Sequence, residues 1–183
     1  MSEGLPLEEL RDEHSVALDV MREASDEVRA ITASAPSAWG PEADKLLWRL
    51  RELRRALVLH FRKEEEGLFP DVRAKVAEGA PPKDILAQFF GEQADDDLTA
   101  HHLLRQRTQA LLSHLQELQR TGQLDAESCE RLPALADSTS DLLQRHAEKE
   151  NKLVFPMIER LLDESQMAAV RDRMGAISLG LKE

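Results

Sequence analysis

Apolar residues recur along this chain at alternating spacings of three and four, the period of helices that bury one face. Leu7, Leu10, His14, Ala17, Met21, Ala24, Val28 and Ile31 form the first seam and predict a helix from about Leu7 to about Ala33. The stretch from Ser34 to Pro41 ends it, because two prolines and a glycine break the hydrogen-bond ladder. A second seam, Leu46, Leu50, Leu53, Leu57, His60 and Glu64, predicts a helix that continues past Pro70 with a kink to about Glu78 and ends at Gly79-Ala80-Pro81-Pro82. The short apolar piece from Ile85 to Phe90 suits one or two turns across the bundle end. A third helix starts near Asp95-Asp96-Asp97, whose carboxylates favour the positive end of a helix dipole. Its seam is His101, Leu104, Thr108, Leu111, Leu115 and Leu118, and Thr121-Gly122 stops it. A fourth helix is expected from about Asp125 to Leu162, with Pro133 early in it. A fifth starts at Asp163-Glu164-Ser165, carries Met167, Val170 and Met174, and stops at Gly175. The predicted fold is all-α: an antiparallel up-down-up-down four-helix bundle over residues 1–163, with residues 164–183 a short C-terminal helix and tail packed on it.

The pattern repeats. His-Phe-Arg-Lys-Glu-Glu-Glu-Gly-Leu-Phe-Pro at 60–70 aligns without gaps on His-Ala-Glu-Lys-Glu-Asn-Lys-Leu-Val-Phe-Pro at 146–156, and nearly the same offset carries His14 onto His101. Helices one and two therefore resemble helices three and four, as in a duplicated helical hairpin.

The seams contain residues that hydrocarbon packing does not want. In His60-x-x-x-Glu64 and His146-x-x-x-Glu150 the side chains are four apart, so each pair lies on one helical face and reaches one point. Alone this spacing is weak, since most such pairs are exposed ion pairs. His14, His60 and His101, however, occupy seam positions that leucine fills a turn away, and His146 is expected to share its face with Leu142 and Leu153. Burying a neutral polar group without a partner costs on the order of 2–7 kcal/mol, and a charge costs more. Divalent cations would compensate, because imidazole nitrogens bind them and carboxylates can bridge them while cancelling charge. A metal-free His–Glu network satisfies fewer of the groups, because two facing carboxylates repel and one must stay protonated.

Other residues read more plainly. His102 lies about 100° around the helix from His101, off the seam, and is the alternative third-helix ligand. His114 is likewise off the seam and suits the surface. Glu65, Glu66 and Glu148 suit a solvated acidic rim, and Trp39 and Trp48 suit packing at the bundle end. The net charge of -11 disfavours nucleic acid, which needs a positive stripe. No window approaches the roughly 18 apolar residues of a membrane span, and the acidic start lacks the form of a secretion signal. Cys129 is the only cysteine, so no intrachain disulfide forms, and a cytoplasmic location is expected.

The arrangement His14, His60-x-x-x-Glu64 before Leu68-Phe69-Pro70, His101, and His146-x-x-x-Glu150-Asn151 before Val154-Phe155-Pro156 resembles the hemerythrin-like, or HHE cation-binding, family from about Leu10 to Leu162. It is also similar to the C-terminal domain of the repair-of-iron-centres di-iron proteins. The resemblance implies two iron ions bridged by Glu64 and Glu150, with His14 and His60 on one and His101 and His146 on the other. Manganese and zinc accept the same donors, so iron comes from the resemblance. Two departures stand out. Oxygen-carrying hemerythrins have a further histidine one turn after the third-helix histidine, where this chain has Arg105, and the repair proteins have one late in the first helix, where it has Ala35. The site expected is therefore open, with positions for water, O₂, NO or peroxide that Glu65 or His102 could fill.

Glu-x-x-His, the ferritin-like signature, is absent around all six histidines, and there is no tyrosine for radical chemistry. Three functions follow: a binder or sensor of O₂, NO or iron acting through a protein partner; a redox enzyme reducing peroxide or NO, or an iron donor to damaged iron-sulfur centres; and a bundle whose site is vestigial.

Overall fold

In the computed structural model, which describes residues 5–33, 40–79, 96–122 and 125–179, every element is helical. Helix α1 spans Pro6–Ala33 and α2 spans Pro41–Arg62. Both start on a proline, whose missing N–H would have no partner at a first helical position in any case. Helix α3 is Phe69–Ala77, α4 is Asp96–Thr121, α5 is Ala126–Lys149, α6 is Phe155–Leu161 and α7 is Glu164–Leu179. Gly79 and Gly122 follow α3 and α4 with φ of 81° and 71°, the left-handed stop that glycine takes without strain. Asp125 caps α5 by accepting the Ser128 N–H at 2.7 Å. Asp163 and Gln166 cap α7 reciprocally, each side chain accepting the other's backbone N–H at 2.9 and 3.1 Å.

The expected second and fourth helices are each interrupted by a π-helical turn, at Lys63–Leu68 and Glu150–Val154. The Phe69 N–H reaches the Glu64 carbonyl and the Phe155 N–H reaches that of Glu150, five residues back. Phe-Pro closes both turns. A proline in a regular helix clashes with the carbonyl four residues before it, and the wider turn relieves that clash. The π turn also changes which residues face inward. Beyond Glu150 the buried residue is Val154, while Leu153 is 54% exposed, so His146 shares its face with Leu143 and Val154 rather than with Leu142 and Leu153.

Other expectations also shift. Helix α7 runs through Gly175 to Leu179. A mid-helix glycine costs roughly 1 kcal/mol, which the burial of Val170 and Met174 offsets. Trp48 lies off the Leu46–Leu50 seam and is 64% exposed, so it is not packing at a bundle end. Trp39 and the Ile85–Phe90 piece lie outside the described residues.

The chain divides into two compact units. One comprises residues 15–57 and 102–145, parts of α1, α2, α4 and α5. Its core is aliphatic, with Met21, Val28, Leu46, Leu50, Leu111, Leu115, Leu132 and Leu143 buried. Its edges are tied by Arg49 to Glu23 and Glu27, by Arg29 to Asp137, and by the Gln119 amide to Asp44. Buried threonines here bond their own helices: Thr108 donates to the Leu104 carbonyl at 2.7 Å and Thr139 to that of Leu135 at 2.6 Å.

The other unit comprises residues 1–14, 58–101 and 146–183. Leu7, Leu10, Leu68, Phe69, Val72, Val154, Phe155, Ile158, Leu162, Val170 and Met174 form its apolar core. Helix α7 lies on the first π turn. Gly67 is buried there, and a Cβ on it would sit 2.8 Å from Met174 Cγ. Arg173 donates to the Gly67 carbonyl at 3.0 and 3.1 Å and pairs with Asp71.

Candidate metal centre

This second unit also buries four imidazoles and two carboxylates: His14 from α1, His60 from α2, His101 from α4, His146 from α5, and Glu64 and Glu150 from the two π turns. Each is at most 3% exposed. Glu64 stands between two histidines, with Oε1 3.3 Å from His60 Nε2 and Oε2 3.1 Å from His101 Nε2. Glu150 does the same from its own turn: Oε2 lies 3.1 Å from His14 Nε2 and 3.4 Å from His146 Nε2, and Oε1 lies 3.9 Å from His101 Nε2. The Nε2 atoms of His14 and His60 face each other at 2.9 Å.

A second layer of hydrogen bonds aims the rings. His60 Nδ1 donates to Glu13 at 2.9 Å, His101 Nδ1 to Glu65 at 2.7 Å and His14 Nδ1 to the Asn151 amide oxygen at 3.1 Å. An acceptor against Nδ1 fixes the proton there and turns Nε2 inward as the available donor to a cation. The duplication explains two of these bonds. Glu65 and Asn151 follow Glu64 and Glu150 in the two repeats, and each reaches the histidine of the other hairpin's first helix. Phe69 and Phe155 obey the same rule, stacking on His101 at 6.3 Å and on His14 at 5.8 Å between centroids. Phe61 adds a closer stack on His101, at 4.1 Å.

Electrostatics follow from this packing. Burial and the neighbouring His60 pull the His14 imidazole down to about 4. Burial also opposes a charge on His60, but the carboxylates of Glu64 and Glu13 outweigh it and push His60 up to about 9. In the metal-free protein His60 is thus the cation, donating from Nε2 to a neutral His14. Burial holds His146 well below the ordinary range. His101 is raised, because Glu64 and Glu65 overcome its burial. Glu64 stays ionised despite complete burial, since His60 and His101 flank it.

Not all of these atoms are satisfied. Both oxygens of Glu64, Nε2 of His101 and both ring nitrogens of His146 are buried with no hydrogen-bond partner among the described residues. Such orphaned atoms carry the full desolvation cost, on the order of 1–3 kcal/mol each, and require a reason. Two groups of four ligand atoms, each within 4.8 Å of one another, supply one: His14, His60, His146 and Glu150, and Glu64, His101, His146 and Glu150. The donor set, neutral imidazole plus carboxylate, fits a divalent cation. The family model for the hemerythrin HHE cation-binding domain matches residues 5–158. The chain belongs to this family. No curated protein matches it. As a hemerythrin HHE domain, it has a helical bundle and a buried His/Glu cluster that suit a metal-binding protein.

The remaining candidates in this HHE domain fall elsewhere. His102 is exposed and bonds Gln106 at 2.8 Å, whereas His101 is fully buried in the cluster. His114 is half-buried and bonds the Ala110 carbonyl through Nδ1. Glu66 pairs with Arg62 and Glu148 with Lys152 at the surface, as expected of a solvated rim, but Glu65 turns in to His101. Sequence reasoning gives no role to Glu13, Lys63 or Asn151. Lys63 is buried, bonding Glu9 at 2.6 Å and pairing with Glu13. The available signal was positional: Glu13 immediately precedes His14, and Asn151 immediately follows Glu150. No described helix is long and apolar enough to cross a membrane.

Proposed function

We propose that the protein is a carboxylate-bridged di-iron protein that binds or senses O₂, NO or iron. His14 and His60 would hold one ion, His101 and His146 the other, with Glu64 and Glu150 shared. The observation that carries this is the two-sided placement of Glu64, one oxygen beside His60 and the other beside His101, on a carboxylate with no hydrogen bond of its own. A bridging carboxylate needs that arrangement, whereas a structural ion pair needs one partner. When bound, the ion pair supplies a Lewis-acidic, redox-active centre for a diatomic ligand or peroxide. The protein's own part is to aim four Nε2 atoms, exclude bulk water with Phe61, Phe69 and Phe155, and leave ligand positions open. The six protein ligands do not saturate two ions, and Arg105 stands where a seventh is found in oxygen carriers.

That openness also favours a second reading, reduction of peroxide or NO at the same pair, or release of iron to a damaged iron-sulfur centre. Anaerobic, iron-loaded protein is exposed in turn to O₂, NO and hydrogen peroxide while its optical spectrum is followed. A change that reverses on removing the gas supports binding or sensing, and steady consumption supports the redox enzyme. Unchanged spectra with all three overturn both. The expected partners are these small molecules and a protein that reads the changed coordination, in the cytoplasm, with neither nucleic acid nor membrane involved.

A further inference from the structure

The two halves of the cluster have the same ligands but different supports. His14 and His101 are alike in position, each held at Nδ1 by the residue that follows Glu150 or Glu64, His14 by the Asn151 amide and His101 by the Glu65 carboxylate. His60 and His146 are not. His60 Nδ1 donates to Glu13, and Glu13 is itself held by Lys63, a residue only 3% exposed whose ammonium is shared with Glu9. Nδ1 of His146 has no hydrogen-bond partner among the described residues. The duplication gives the reason: Glu13 precedes His14, and the residue that precedes His101 is Ala100, whose methyl offers no acceptor. With no acceptor behind Nδ1, His146 is oriented by ring packing, edge-on to His101 at 4.8 Å, His14 at 5.7 Å and Phe61 at 5.8 Å, and by Glu150 at 3.4 Å on its Nε2 side. It is also the one imidazole common to both groups of candidate ligands.

A carboxylate behind a ligating imidazole fixes the ring's direction and raises its basicity, and losing it typically costs about 10–100-fold in metal affinity. A ring without that support gives up its ion more readily. We infer that Glu13, held in place by Lys63, makes the two cation positions unequal: the one at His14 and His60 binds tightly, and the one at His101 and His146 exchanges. Glu13 is a positioning residue, acting through His60, and the exchangeable position is where an ion enters and leaves. All this rests on the two-cation reading above, so its test must separate the two.

Cobalt(II) alone is the probe, titrated into the metal-free full chain and followed by calorimetry and its visible bands. Wild-type protein is expected to bind in two phases whose affinities differ by about 10-fold or more. Glu13→Gln should weaken the tight phase by about 10–100-fold and leave the weak one in place. Ala100→Glu, which offers His146 the missing acceptor, should strengthen the weak phase alone and draw the two together. Lys63→Met should act in the same direction as Glu13→Gln, and circular dichroism of each variant establishes that it is folded. Two equal phases in wild type, or a tight phase indifferent to Glu13→Gln in folded protein, would overturn the inequality while leaving the two-cation site standing. No cobalt bound at all would overturn the site itself.

Discussion

The two units of this protein bury polar groups in opposite ways. In residues 15–57 and 102–145 they include the threonines Thr108 and Thr139, each bonded to a carbonyl four residues back in its own helix. Among the described residues of 1–14, 58–101 and 146–183 they include imidazoles and carboxylates that face one another instead. The difference separates structural polarity from chemical polarity. A buried hydroxyl that closes on its own turn costs little, whereas a buried layer of His and Glu that leaves both Glu64 oxygens and both His146 nitrogens without a hydrogen bond among the described residues calls for something in its midst.

The largest expected effect breaks the comparison outright. Saturating divalent iron, at about 1,000 times its Kd, should stabilise the fold by about 4 kcal/mol. For a chain of this length that raises Tm by on the order of 10 °C, reversed by chelator. Thr108→Val, in the aliphatic unit, should leave that metal-dependent rise intact. An equal rise in a Glu64→Ala, Glu150→Ala variant would show that the ions bind elsewhere.

Next comes the apolar frame of the cluster unit. Phe155 is fully buried and stacks on His14, so Phe155→Ala should cost about 3–5 kcal/mol in denaturant unfolding and loosen metal binding as well. A Leu115→Ala change in the other unit, at about 2–5 kcal/mol, should lower stability with metal affinity unchanged. Gly67→Val pushes against Met174 and should cost about 1–3 kcal/mol, with α7 becoming open to limited proteolysis.

A pH series on metal-free protein sharpens the contrast further. His60 titrates at about 9 in the folded state, above its ordinary 6.5, so its contribution is fully present below 6.5 and is lost as pH rises through about 9. His14 titrates at about 4, below 6.5, so its contribution is present above 6.5 and is lost as pH falls toward 4. Metal-free protein should therefore lose stability in both windows, and bound metal, which replaces the His60 Nε2 proton, should flatten the alkaline one. Chemical denaturation between pH 4 and 9.5 checks this; a metal-free curve flat between 6.5 and 9 would contradict it. The smallest effect is expected from His102→Gln, which should leave metal content and stability unchanged because that ring is exposed.

The helices and the six polar residues of the cluster are legible in the sequence because His and Glu interrupt leucine seams, and such interruptions are few. The choice between His101 and His102 rests on the same seam, which places His101 with Leu104 and Thr108. The π turns are not legible, since residues four apart share a face in either kind of turn and only the next position, Val154 against Leu153, tells them apart. Glu13 and Lys63 are hidden for another reason. Charged residues normally face water, and only the packing of α1 against the first π turn buries Lys63 and half-buries Glu13 as the support for His60. Helix α7 is misread at Gly175 because packing on Gly67 outweighs a local propensity.

The most direct measurement is the metal content of protein purified under iron-replete conditions, taken with its optical spectrum. Two irons per chain, with ligand-to-metal bands that vanish in His60→Ala and in Glu150→Ala, is the expected result. Well-folded protein that contains no stoichiometric metal, and takes up none when iron is added anaerobically, would contradict it.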